Sequence, residues 1–448
     1  MSNPGEADLT PITSTRQLAE WFAAGSKPRA DWGVGTEHEK FGFHRAGLAT
    51  PEYEGPGGIR AILAGLQAEG WEPILDGANP IGLKRGSASV SLEPAGQLEL
   101  SGGILPDLHG TWLELQQHLR EVHAVCGPMD VGFAPLGFHP LHTREQMPWM
   151  PKGRYAIMRR YMPTVGRLGL DMMQRTCTVQ ANLDYGDEAD MVEKLRISLA
   201  LQPVATALFA NSPFTEGRPN GFRSMRGQVW TDTDAARTGI PGVVFEDGFG
   251  FERFAEWLLD MPMYFVMREG RWLDAAGRNF RHFLDGRLDT LPGERATMGD
   301  FADHVTTAFT DVRLKRFLEM RGSDAGSAAM IVAQPALWVG LLYDAAAQKA
   351  AAALVRDWDV EEIRALRLAA PREALGATIR GRTLREVARD VLAIARDGLR
   401  ARALGEDVYL APLDEIVASG LTQADRLLAL YHGAWGGDAG RALLHAEV

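Results

Sequence analysis

The 448-residue sequence predicts an α+β fold built on a largely antiparallel sheet. Three observations carry this. Across residues 31–343, short runs with period-two alternation, such as "SVSLEP", "QLELSG" and "TCTVQANLDY", stand between helical runs. The helical runs, among them "GTWLELQQHLREVHAVC" and "EADMVEKLRISLALQPVATALFA", follow no regular strand–helix–strand rhythm, which argues against a doubly wound sheet. Past Asp344 the alternation stops and only helical patterning remains.

Taken in order, residues 1–13 read as a loose tail, 14–345 as the main body and 346–448 as a helical region packed on that body. The first strand is "GVGTEHEKFGF", Gly33 to Phe43. Side chains alternate faces along a strand, so Glu37, Glu39, Phe41 and Phe43 share one face. Two carboxylates do not belong on a core face, nor two phenylalanines on a solvent face. Local rules broken together mark functional sites. In "SASVSLEPAGQLELSG", Val90, Leu92, Leu98 and Leu100 oppose Ser91, Glu93, Gln97, Glu99 and Ser101, with a bend expected at Pro94 and Gly96. In "TCTVQANLD", Cys177, Val179, Ala181 and Leu183 oppose Thr176, Thr178, Gln180, Asn182 and Asp184; in "RFLEMRG", Leu318 and Met320 oppose Phe317, Glu319 and Arg321. Beyond residue 344, Asp359 with Glu362 and Thr383 with Glu386 have capping-box spacing. In the second of these helices, Leu384, Val387, Val391 and Ile394 form one apolar stripe.

Composition is that of a globular protein, with 46% hydrophobic and 23% charged residues. A net charge of −11 disfavours nucleic acid and anionic membranes as partners. The two cysteines, Cys126 and Cys177, make neither a disulfide framework nor a zinc ribbon, and imply a reducing, cytoplasmic setting. The N-terminus lacks the basic and apolar regions of a secretory signal, and the longest apolar stretch, Ile197 to Ala210, is too short to span a bilayer.

Each alternating segment alone reads as an ordinary half-exposed strand. Their polar faces, however, are rich in Glu, Gln, Asn and Arg. The sharper reading is one curved sheet that gathers Glu37, Glu39, Glu93, Glu99 and Glu319 on its concave side. Five adjacent carboxylates repel unless cations compensate. All are hard oxygen donors, so Mg²⁺, with Mn²⁺ as the substitute, fits better than Zn²⁺. Carboxylates with arginines suit ATP phosphates held through divalent ions. Basic candidates are Lys84 and Arg85 in "GLKRG", then Lys152, Arg154, Arg159 and Arg160 in "MPKGRYAIMRRYMP". "RSMRGQVWTDTD" adds Arg223, Arg226, Trp230 and Asp232, an arginine–tryptophan grouping suited to a carboxylate ligand. "GVGTEH" is not a dinucleotide fingerprint, no P-loop occurs, and His139 and His142 read as structural.

The segments "GTEHEKFGF", "SLEPAGQLELSG", "PKGRYAIMRRYMP", "LGLDMMQRTCTVQANLD", "LFANSPFTEGRPNGFRSMRGQVWTDTD" and "VRLKRFLEMRGSD" resemble the plant-type glutamate–cysteine ligases also found in many bacteria. The resemblance covers residues 31–343 and continues weakly beyond. It implies a glutamine synthetase-like catalytic fold, a funnel of curved antiparallel sheet with helices outside, and the first step of glutathione synthesis. In that reaction ATP phosphorylates the glutamate γ-carboxylate and the cysteine amine displaces phosphate. By resemblance, Glu37, Glu39, Glu93, Glu99 and Glu319 hold the Mg²⁺ ions, with Gln180 or Asn182 nearby. Arg321 contacts the transferring phosphate, with Lys84 as a second phosphate contact, and Glu93 and Glu319 share the catalytic role. Arg226 with Trp230 binds the glutamate carboxylate, Arg223 being the competing choice, and Tyr264 lines the cysteine pocket. A related ligase using another amine, or a non-catalytic nucleotide- or glutamate-binding relative, stays open. The chain is expected to act on small molecules as a monomer or weak dimer. The plant regulatory disulfides would fall at Trp112 with Val332 and at Ala275 with Thr290; none is cysteine. Cys177 matches a plant cysteine, and is either packing or a reactive thiol.

Overall fold

The computed structural model describes residues 8–448. Its centre is an antiparallel sheet of nine strands: β1 Val34–His44, β2 Glu72–Asp76, β3 Asn79–Arg85, β4 Ala88–Leu92, β5 Leu98–Ser101, β6 Val131–Ala134, β7 Thr178–Leu183, β8 Val312–Leu314 and β9 Leu318–Asp324. The spatial order is β8-β9-β7-β1-β5-β4-β3-β2, and β6 pairs with the second half of β1. Every alternating segment recognised in the sequence is a strand of this sheet.

The apolar faces lie against helices. Val34, Val179, Ala181, Leu183, Leu318 and Met320 enter the main core. Helix α1 (Leu108–Cys126) backs β1, while α2 (Glu188–Leu208) and α3 (Ala328–Leu342) cover β9 and β7. α3 is apolar nearly all round and buried accordingly. Among the described residues no single helix is long and apolar enough to cross a membrane. Val90, Leu92, Leu98 and Leu100 form a second core with Ile59, Ile62, Leu63 and, from α1, Val122 and Cys126.

The C-terminal region is a helical layer on this body. α4 (Val360–Glu373) and α5 (Leu384–Ala401) begin with the predicted capping boxes at Asp359 and Thr383. The α5 stripe packs onto α3. One detail differs from expectation: residues Thr378–Ile379 and Arg382–Thr383 pair as a short antiparallel hairpin between α4 and α5. At the other end, residues 1–7 of the expected tail lie outside the described residues. From Asp8 onward the chain makes hydrogen bonds to the body: the Met298 N–H donates to the Thr10 carbonyl at 2.9 Å and the Ile12 N–H to the Ala296 carbonyl at 3.2 Å.

The odd composition of β1 has a structural answer. Glu37 and Glu39 lie where β1 pairs with β5 and β7; Phe41 and Phe43 lie where it pairs with β6. Over that second half the chain terminus returns, and Phe41 and Phe43 pack with Ala439, Ala442 and Leu443. One strand face thus serves a polar cavity at one end and an apolar cluster at the other.

Candidate active site

Register turns the period-two pattern into one polar patch, because direct cross-strand partners share a face. Glu37 stands opposite Ser101 of β5 and Gln180 of β7. Glu39 stands opposite Glu99, and Glu99 opposite Ser91 of β4. Glu319 of β9 faces Asn182 of β7 and Arg313 of β8. Glu93 follows β4 in the turn expected at Pro94 and Gly96; Gly96 takes φ +83° there and its N–H donates to the Glu93 carbonyl at 2.9 Å.

Glu37, Glu39, Glu93 and Glu99 line one cavity with Gln180, Arg226, Trp230, Arg313 and Arg321. Tyr155, Met158, Met172, Met173, Phe265 and Phe309 form its apolar lobe. The acidic side is electrostatically loaded. Burial, then Glu93 and Glu99, push the Glu39 carboxyl well above the usual carboxylate range. Burial, then Glu37 and Glu93, push Glu99 up to about 7. Glu39 accepts the Thr178 N–H at 2.9 Å and Glu99 the Ser91 hydroxyl at 2.6 Å. Among the described residues no three His, Cys, Asp or Glu side chains are disposed to enclose one ion.

Glu319 differs from the other four. It is fully buried beneath the cavity floor and does not line the cavity. It pairs with Arg313 at 2.7 Å, Lys315 at 2.9 Å and Arg321 at 2.7 Å. Burial pushes its carboxyl up, but Arg313, Lys315 and Arg321 hold it well below the ordinary value. In this geometry Glu319 anchors cations, two of which (Arg313 and Arg321) face the cavity. Arg321 also donates to the Gln180 side chain at 2.6 Å. The register between β9 and β7 shifts between Met320 and Ser323, the span that holds Arg321 and Gly322, and such an irregularity re-aims side chains.

Several expected contacts are corrected. Lys84 pairs with Glu72 at 3.3 Å on the exposed edge of the sheet and lies outside the cavity; β3 is three strands from β1, roughly 14 Å at ordinary strand spacing. Arg223 is taken by Asp425 at 2.5 Å, whereas Arg226 is buried and lines the cavity beside Trp230. Tyr264 sits behind the wall: its hydroxyl donates to Asp234 at 3.1 Å and Arg237 lies 3.8 Å from its ring centroid, while its neighbours Phe265 and Phe309 reach the cavity. Asn182 donates to Glu37 at 2.8 Å without lining the cavity. Of the "MPKGRYAIMRRYMP" cations only Arg154 lines it; Lys152 is buried and donates to the Leu92 carbonyl at 2.6 Å, Arg159 covers Trp149, and Arg160 pairs with Asp274. Cys177 is buried among Phe41, Ala134 and Leu136, and burial pushes its thiol well up, so it is packing. His139 stacks on His142 and neither belongs to a metal-ligating group among the described residues.

Arg313 and Lys315 escaped the sequence reading. Their signal was present in "VRLKRFLEMRG": Arg313 and Lys315 alternate with Val312 and Leu314, in phase with Glu319 across a tight hairpin. The apolar lobe had no such signal, because its residues come from four separate segments.

A family model described as glutamate-cysteine ligase family 2 matches residues 33–445. The chain is 50% identical over 426 residues to the chloroplastic glutamate–cysteine ligase of Medicago truncatula, covering 95% of this chain and 83% of that one. It is likewise 50% identical to the chloroplastic glutamate–cysteine ligase of Arabidopsis thaliana, covering 96% and 82%. Among solved structures, the glutamate–cysteine ligase of Francisella tularensis in complex with AMP aligns over 94% of this chain and 88% of that one, with a TM-score of 0.55 at 12% identity, a likeness of fold. A floor of strand-borne carboxylates facing arginines, a shared fold and half-identical relatives along nearly the whole chain agree, and this protein belongs to the glutamate–cysteine ligase family 2.

Proposed function

We propose that this chain joins the γ-carboxylate of L-glutamate to the amine of L-cysteine through a γ-glutamyl phosphate, the first step of glutathione synthesis. Its family is one of ATP-dependent ligases. The observation that supports the reading best is the cavity in which Glu37, Glu39, Glu93 and Glu99 face Arg226, Arg313 and Arg321. Substrate carboxylate and ATP are both anions, and their approach needs positive charge at the reacting end.

Arg226, beside Trp230, receives the glutamate α-carboxylate. Arg321, fixed by Glu319 and Gln180, faces the phosphoryl group in transfer, and Arg313 supports it from the next strand. Both guanidiniums are held before substrate arrives, so little reorganisation accompanies charge transfer. The residues present suit Mg²⁺ or Mn²⁺: Glu37 and Glu39 of β1, Glu99 of β5 and Glu93 of the turn after β4 are hard oxygen donors that would hold such an ion with at most two carboxylates each, and burial, then neighbouring carboxylates, raises Glu39 and Glu99. A divalent ion bound there supplies neutralisation of phosphate charge. Glu319 acts as the anchor of the cationic side. The apolar lobe keeps water from the acyl phosphate.

The test is phosphate release from ATP with glutamate, Mg²⁺ and each common amino acid in turn. Turnover that depends on cysteine supports the proposal. Preference for another amine, or release without any amine, overturns it.

A further inference from the structure

Two aspartates flank Arg226, and each is occupied by its own donors. Asp324 accepts the Asn211 backbone N–H at 2.8 Å and the hydroxyls of Ser212 and Ser224 at 2.6 and 2.7 Å. Asp311 accepts the Arg367 Nε–H at 2.6 Å and Nη2–H at 3.1 Å. The same Nη2 donates to the Trp230 carbonyl at 3.1 Å. Arg367 comes from α4, in the C-terminal layer, and lines a small recess shared with Arg226, Trp230, Asp311 and Arg321. α4 is docked on the Arg226 segment itself: the Pro371 carbonyl accepts the Arg223 and Ser224 N–H groups at 2.8 and 2.9 Å. The Asp311 carbonyl in turn accepts the Arg321 N–H at 3.1 Å. Burial disfavours the charged Arg226 guanidinium and lowers its pKa on balance, while the charges of Asp324, Glu39 and Asp311 act in the opposite sense.

We propose that Arg367 is a positioning residue for the substrate: by occupying Asp311 it keeps that carboxylate from pairing with Arg226, whose guanidinium stays turned to the cavity. The inference rests on the ligase reading for the identity of the captured group, the glutamate α-carboxylate. An unoccupied Asp311 is a competitor for it, since neighbouring opposite charges attract strongly where water is scarce. Arginine suits the task because its planar fork covers both carboxylate oxygens while a further N–H reaches the Trp230 carbonyl. The helical layer, far from being a passive cover, then sets the affinity of the cavity for its acidic substrate.

The experiment compares wild type, R367Q, D311N and R367Q/D311N by steady-state turnover and by glutamate titration of tryptophan fluorescence. R367Q is expected to raise the glutamate KM and Kd about tenfold, the scale of one charge-assisted contact, with the ATP KM unchanged. R367Q/D311N, which lacks the competing charge, is expected to recover most of that loss. A purely structural role leaves the double variant as impaired as R367Q. An unchanged glutamate KM and Kd in R367Q, or no recovery in the double variant, overturns the inference. Should R367Q not fold, R367K and R367K/D311N make the same comparison. Glutamate binding without any turnover in the wild type would sink the ligase reading and leave this competition still measurable.

Discussion

Replacing Glu319 by Gln should destabilise this protein more than it perturbs its shape, and the size follows from the charge hub. Glu319 is fully buried and neutralises Arg313, Lys315 and Arg321, whose side chains are 6%, 9% and 13% exposed, too little for water to take its place. Glutamine keeps the volume but leaves three cations facing one another. Removing one member of a buried ion pair costs about 3–5 kcal/mol, a large part of the 5–15 kcal/mol that typically separates folded from unfolded chains. The expected result is a urea-unfolding midpoint lowered by that equivalent, read by tryptophan fluorescence, with turnover lost as well. Adding Lys315→Met should recover part of the stability by removing one orphaned charge. The contrasting variant is Glu39→Gln. Glu39 stands opposite Glu99, and burial and its like-charged neighbours disfavour its ionised form. Neutralising it should leave stability equal or higher while abolishing turnover. An unchanged midpoint in Glu319→Gln, or a loss in Glu39→Gln as large as in Glu319→Gln, would refute this division between anchor and cavity carboxylates.

The raised carboxylates set a pH dependence. Burial, then Glu37 and Glu93, push Glu99 up to about 7 in the fold against roughly 4.3 unfolded, so its contribution is fully present below about pH 4 and is lost as pH rises through 7, roughly 4 kcal/mol in all, of which about 1.4 kcal/mol falls between pH 6 and 8. Metal-free protein should therefore melt higher at pH 6 than at pH 8, and Mg²⁺ should erase the difference; equal melting with and without Mg²⁺ at pH 8 would count against the ion site. Arg226→Ala should raise the glutamate KM by two orders of magnitude, about 2.7 kcal/mol, whereas Arg223→Ala, which removes only the Asp425 contact, should leave it unchanged; equal effects would return Arg223 to contention. Dithiothreitol should leave turnover unchanged, because Cys126 and Cys177 are both buried and burial pushes the Cys126 thiol up to about 12; a several-fold response would contradict this.

The sequence by itself determined five of the nine strands of the sheet, the face each of their residues takes and the two capped helices of the C-terminal layer. These are local properties: a strand's period of two and a capping box are set by residues within a few positions of one another. So Glu37, Glu39, Glu93 and Glu99 were legible as one polar face, and their hard oxygens as an ion-compatible set. Only the tertiary structure decided which of the polar groups meet a substrate. Glu319 shares the phase of the others, yet it is buried because Arg313, Lys315 and Arg321 converge on it. Lys84 also lies on the carboxylate face, but three strands away at the rim. Arg223 and Arg226 are three residues apart, and what separates their roles is Asp425, some 200 positions later. Phe41 and Phe43 make sense only once the last helix returns over them. Strand phase is written within each segment, whereas charge partners depend on which distant segments become neighbours.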